Sequence, residues 1–154
     1  MPDILIGDQI STAWWPAAVE NDQPADISNV TSTVFIPGAT TCDVTFTASR
    51  TGRAGVCIAA NWIQQSAGER MFFAYEVYLG TSAAGTLVRS ARSGFGVSDA
   101  GSTLGSLEQG WGNMTMVEGL TPGATYFARL VFMTEGAGGT NDITHRRIIV
   151  FPLP

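Results

Sequence analysis

The chain has 154 residues, a mass of 16.3 kDa and a net charge of −5, enough for one hydrophobic core of ordinary size. Only 14% of its residues are charged, against about 25% in an ordinary soluble domain, so much of the surface is expected to be polar without charge or covered by other molecules. All the basic residues are Arg, and none cluster beyond Arg146-Arg147, which argues against nucleic acid as a partner. No apolar run is long enough for a membrane-spanning helix, and Met1-Pro2-Asp3 lacks the basic start of a secretory leader. Folding in a cytoplasm is therefore expected.

Residues 1–28 differ in kind from the rest of the chain. Asp3, Asp8, Glu20, Asp22 and Asp26 are acidic, nothing there is basic, and Pro2, Pro16 and Pro24 interrupt regular structure. Ile4, Leu5, Ile6, Trp14 and Trp15 are nevertheless strongly apolar. This mixture predicts an extended arm docking on something larger, or a strap lying over its own domain. The five apolar side chains are its anchors, since Trp removes a large apolar area from water while its one donor stays satisfiable.

Residues 29–154 read as one β domain. The first expected strand is 30–36, ended by Pro37-Gly38. In 41–48, Cys42, Val44, Phe46 and Ala48 alternate with Thr41, Asp43, Thr45 and Thr47, a half-buried strand. In 54–62, Val56, Ile58, Ala60 and Trp62 share one face; in 70–79, Phe73, Tyr75, Val77 and Leu79 alternate with Phe72, Ala74, Glu76 and Tyr78. A further strand is expected over 86–92. The stretch 93–109 is rich in Gly and Ser and reads as a long loop. Strands are expected again over 113–117, 124–133 and 146–151. In 124–133, Tyr126, Ala128, Leu130 and Phe132 form the buried face. The opposite set, Phe127, Arg129, Val131 and Met133, is apolar but for one Arg, and is expected to meet a partner subunit.

No helical period persists beyond a turn. About eight short strands joined by Gly/Pro turns predict an all-β chain: a single antiparallel sandwich, jelly-roll-like on strand number. An immunoglobulin- or fibronectin-like sandwich is the alternative. It draws on the run Gly119-Leu120-Thr121-Pro122-Gly123-Ala124-Thr125-Tyr126, a turn leading to a tyrosine whose hydroxyl would return to the backbone.

Chemistry has little support. His145 is the one histidine, beside Arg146 and Arg147, and reads with them as the polar lip of a strand. Cys42 and Cys57 are too few for a Cys-dominated zinc site; lying on neighbouring strands they could form a disulfide, with reduced core thiols the expectation for a cytoplasm. The carboxylates form no pair, Ser93 and Ser98 have no nucleophile elbow, and Asp142 has too few oxygen neighbours for Ca²⁺. No catalytic, metal or cofactor site is predicted. Trp62, Tyr78 and Trp111 are the candidate aromatic contacts for a glycan or host surface.

Five segments in order carry a resemblance. They are Thr31-Ser32-Thr33; Thr41-Cys42-Asp43-Val44-Thr45-Phe46-Thr47-Ala48 with Gly52-Arg53; Phe73-Ala74-Tyr75-Glu76-Val77; Val117-Glu118 running into the turn and Tyr126; and Arg146-Arg147-Ile148-Ile149-Val150. The set resembles small β-sandwich structural proteins of tailed phages infecting actinobacteria, of minor tail, fibre or capsid-decoration type. Gly7-Asp8-Gln9-Ile10 is similar to the linker preceding such domains, although only a short segment stands where larger relatives carry an attachment region. The resemblance implies a non-enzymatic virion protein that decorates or stabilises the capsid surface, or a head fibre. It also implies a homotrimer, whose arm binds the major capsid protein or another virion protein, with no cofactor. The competing expectation is a tail-associated adhesin or carbohydrate-binding module touching a host-surface glycan.

Overall fold

Alternation of apolar and polar side chains becomes β-strand wherever one face is covered, and the chain is built from such strands almost alone. The computed structural model describes residues 16–64, 70–93, 97–99, 108–136 and 141–154. Its strands are β1 (Val19–Gln23), β2 (Ile27–Val30), β3 (Asp43–Thr47), β4 (Arg53–Gln64), β5 (Met71–Leu79), β6 (Thr86–Arg89), β7 (Val97–Asp99), β8 (Glu108–Val117), β9 (Thr125–Thr134) and β10 (Asn141–Leu153).

Pairing is nested. β1 pairs with β10, β3 with β9, β4 with β8 and β5 with β6, all antiparallel, so partners are near mirror images about the turn at 80–85. The chain is in effect one long hairpin, rolled so that its turns stack. The first sheet, sheet A, has the order β1-β10-β4-β8 with β2 also on β10; the second, sheet B, has β3-β9-β5-β6 with β7 also on β5. This is jelly-roll order and not the ABED/CFG order of the immunoglobulin alternative.

The core lies between the sheets and uses the faces expected from the alternation. Cys42, Val44, Phe46, Val56, Ile58, Ala60, Phe73, Tyr75, Val77, Tyr126, Ala128, Leu130 and Phe132 are all buried there. Trp62 packs on Phe73 with ring centroids 5.1 Å apart, and Phe46 stacks on Tyr126 at 5.7 Å. The expected tyrosine corner is present within this different topology: the Thr121 N–H donates to the Tyr126 hydroxyl at 2.8 Å. Gly52 locks the same corner from below. Its φ is +67°, its carbonyl accepts from the Leu120 N–H at 3.0 Å, and an added Cβ would stand 2.2 Å from the Leu120 carbonyl oxygen.

Three sequence expectations are corrected. The strand expected over 30–36 is not one: only Val30 is in a strand, and Ile36 makes an isolated bridge to Phe132. The segment crosses between sheets, from β10 at Val30 to β9 at Ser32 and Ile36, so its β-branched residues serve a connection. Asn29, at φ 57°, starts the crossing, with its N–H bonded to Asp142 Oδ1 at 2.8 Å. Second, the boundary at residue 28 falls inside β2, and β1 lies wholly before it, paired residue for residue with β10. Pro24 sits between β1 and β2, where its missing N–H costs no ladder bond. Third, the stretch read as loop contains β7 and the start of β8, which runs from Glu108. Gly110 and Gly112 hide its alternation. Ile4, Leu5, Ile6, Trp14 and Trp15 lie outside the described residues, as do 65–69, 137–140 and most of 94–107.

Candidate interaction surfaces

The residues that looked most chemical in sequence resolve into structural contacts. β10 turns Arg146 inward, opposite Ala60, while His145 and Arg147 face out. Arg146 is fully buried and donates to the Thr40 carbonyl at 2.7 Å, the Ala25 carbonyl at 2.9 Å and Thr40 Oγ1 at 3.1 Å. It therefore ties the connections after β1 and before β3 to the last strand, and is no part of a polar lip. Arg147 pairs with Glu20 at 2.7 Å and His145 with Asp22 at 2.5 Å, both across β1. Glu20 and Asp22, two of the acids that made residues 1–28 look like a detached arm, are thus partners of β10.

Cys42 and Cys57 are both free thiols. They do not face one another: Cys42 is in the core, while Cys57, opposite Ile149 and Met114, belongs to the outer face of sheet A. Burial raises the Cys42 pKa to about 11, so it stays protonated and unreactive.

On the outer face of sheet B, Glu76 stands opposite Arg129, and Tyr78 opposite Phe127. Arg129 Nη2 lies 2.8 Å from Glu76 Oε2 and 2.9 Å from the Tyr78 hydroxyl, which itself donates to Glu76 at 2.7 Å. The guanidinium sits 5.2 Å from the Tyr78 ring centre, and Phe127 packs on that ring at 6.3 Å. Burial, reinforced by the Glu76 carboxylate, raises the Tyr78 pKa. Tyr78, expected from sequence at a glycan contact, and Phe127 and Arg129, expected at a subunit interface, are gathered by the fold into one internally satisfied cluster. Of the other two interface residues, Val131 is fully buried and Met133 half-buried.

The three aromatic candidates separate. Trp62 is 1% exposed and belongs to the core, Tyr78 is 8% exposed, and Trp111, on the edge strand β8, is 54% exposed. They form no common platform.

The outer face of sheet A was not foreseen from sequence. Along β4 this face carries Gly55, Cys57 and Ala59. On one side β8 raises Met114, opposite Cys57, and Met116, opposite Gly55; on the other β10 raises Ile149, Phe151 and Leu153. Small residues between two rows of large ones make a valley between ridges. A hollow of about 460 Å³ opens there, lined by Gly55, Met114, Met116, Phe151 and Leu153 among others. Met114, Met116 and Phe151 are exposed. The period-two spacing of Met114 and Met116 was visible in sequence, but which face they join depends on the neighbour of β8. Among the described residues, no three His, Cys, Asp or Glu side chains converge as a metal site would require.

No family model matches the sequence, and no curated protein matches it. Solved structures do. The VP2 subviral particle of infectious bursal disease virus is 12% identical with a TM-score of 0.54, covering 90% of this chain and 34% of VP2. VP2 in the T=1 particles derived from that virus gives 12% and 0.53, covering 90% and 32%. The fold is an antiparallel jelly-roll sandwich of the kind those VP2 chains contain. VP2 of the Gt strain of the virus agrees, at 11% identity and a TM-score of 0.51 over 88% of this chain and 32% of VP2. This chain spans about a third of the length of the VP2 chains it resembles. At such identities the likeness shows the fold, and it points to no phage protein in particular.

Proposed function

We propose that this chain is a non-enzymatic structural component of a virus particle: a phage virion protein that decorates or stabilises the capsid surface. The observation carrying this reading is the jelly roll shared with VP2, which those structures show in subviral and T=1 particles. Two further features support it. At Arg146 and at Glu76–Tyr78–Arg129 the polar side chains bond within the chain instead of opening onto a cleft. The exposed side chains that stand out are large and apolar, as contact surfaces require. In this reading Ile4, Leu5, Ile6, Trp14 and Trp15 anchor the chain to the major capsid protein or a neighbouring virion protein. The protein is a homotrimer, with the sheet B face around the partly exposed Phe127, Arg129 and Met133 at the subunit contact.

The test is co-sedimentation of the full chain with purified particles. Because β1 begins at Val19, the arm is altered by substitution, not truncation through residue 28. The variant Trp14→Ser/Trp15→Ser is expected to leave the particle while remaining folded. If it sediments with particles as the parent does, the anchoring role is lost. Exposed Trp111, flanked by Gly110 and Gly112, favours a second reading as a host-glycan contact. That reading requires glycan binding by the isolated protein that Trp111→Ala abolishes.

A further inference from the structure

The valley on the outer face of sheet A has the shape and the charge of a surface made to receive itself. Its floor is Gly55, Cys57 and Ala59, and its nearer ridge is Met114 and Met116, one strand away. A two-fold axis parallel to the strands and lying between β4 and β8 exchanges the positions of those two strands. Each copy's methionine ridge then lies in the other copy's valley, and unbranched, polarisable Met adapts to such a fit. The charges obey the same operation. Arg53 and Glu118 continue β4 and β8 at the end of the valley, face the same side, and approach to 3.1 Å with both side chains substantially exposed. The axis that exchanges β4 and β8 places each Arg53 over the other copy's Glu118. Two ion pairs become one ring of four alternating charges.

We propose that the outer face of sheet A is the contact through which two copies of this chain pair about a two-fold axis. The charge pattern selects this occupant over the chain's own first fifteen residues. That segment carries Asp3 and Asp8 and no basic residue. The cations bordering the valley, Arg53 and Arg147, are already matched to Glu118 and Glu20. A second copy presents an uncharged ridge to an uncharged valley, an approach that sets no carboxylates of this acidic protein against one another. The contact spans three strands about 4.8 Å apart, smaller than the roughly 800 Å² per partner of a standard interface, so pairing is concentration-dependent. It uses the opposite sheet from the proposed trimer contact and does not depend on it.

Analytical ultracentrifugation of the full chain from micromolar to millimolar concentration tests the pairing. The parent chain is expected to show a reversible two-fold association. Met114→Glu, at an exposed position, is expected to raise its dissociation constant by about a hundredfold, because it would bury an unpaired carboxylate in the other copy's apolar valley. Arg53→Glu and Glu118→Arg are each expected to abolish self-pairing, and an equimolar mixture of the two to restore it, because across the axis each carboxylate of one copy then faces a guanidinium of the other. This rescue in trans cannot come from a change in either variant's own fold. Absence of any association by the parent chain overturns the proposal. So does association that survives Met114→Glu, or association lost in Trp14→Ser/Trp15→Ser but kept in Met114→Glu, which would make the N-terminal segment the occupant. A mixture that stays unpaired overturns the placement of the axis. None of these outcomes bears on whether the chain is found in particles.

Discussion

Arg146 brings a cation into the interior and meets it with carbonyls, not a carboxylate. Burial lowers its pKa, and the bonds to Ala25 and Thr40 offset the cost of desolvation. Replacing it with Met fills the space but leaves the part-buried Ala25 and Thr40 carbonyls without that donor. Arg146→Met is expected to lower stability by about 2–3 kcal/mol, read as a lower urea midpoint with an unchanged slope. Arg147→Met, on the exposed face, is expected to move that midpoint far less, because its ion pair with Glu20 is screened by solvent. Cys42 supplies a pH test. Its folded pKa, about 11, exceeds the ordinary thiol value of 9.0. Between these values the unfolded chain has released a proton that the folded chain still holds. Stability present below pH 9 is therefore lost as pH rises toward 11, by about 2–3 kcal/mol. Cys42→Ala is expected to flatten that part of the stability–pH curve. A variant whose curve falls as steeply as the parent's would contradict this role of Cys42.

At the scale of elements, the corner joining β8 to β9 is held twice, by the Tyr126 hydroxyl and by Gly52. Tyr126→Phe removes one hydrogen bond and is expected to cost about 1 kcal/mol. Gly52→Ala forces a Cβ onto the Leu120 carbonyl at positive φ and is expected to cost more than that. Thermal melts of the two variants check the order; the reverse order would show that the corner is not pinned at Gly52. The strands themselves differ in how plainly they can be read. In β3, β4, β5 and β9 the alternation names the inward residues, except that Leu79 at the end of β5 is exposed. Trp62, on one face with Val56, Ile58 and Ala60, follows that rule into the core and not to a glycan contact. β1 and β2 escape because an edge strand with one wet face reads as polar, and because Pro24 falls between them. β8 is shortened in the reading because Gly110 and Gly112 carry no side chain to alternate. Residues 30–36 mislead in the other direction, being β-branched in a crossing between sheets.

Across the whole molecule, topology is the level that local pattern reaches least. The tyrosine corner is real, yet it occurs in a jelly roll, so a motif first associated with immunoglobulin-like domains decides nothing about strand order. Strand number favoured the jelly roll; the nested pairing about residues 80–85 establishes it. The candidate surfaces were legible only in part for the same reason. Arg129 and Phe127 could be assigned to one outward face from β9 alone, whereas the valley on sheet A requires β10, β4 and β8 side by side. Rolled in this way, the described residues bond their buried charges within the chain and leave the apolar side chains of Met114, Met116 and Phe151 exposed on sheet A, a surface the proposed virion role would use. Gradient-purified particles from infected cells, analysed for this chain's copy number and position by quantitative mass spectrometry and electron cryomicroscopy, test that role most directly. The expected result is the chain in intact particles, in symmetry-related copies on the capsid surface. Its absence from purified particles, with the protein recovered only in the soluble fraction, would contradict a virion role.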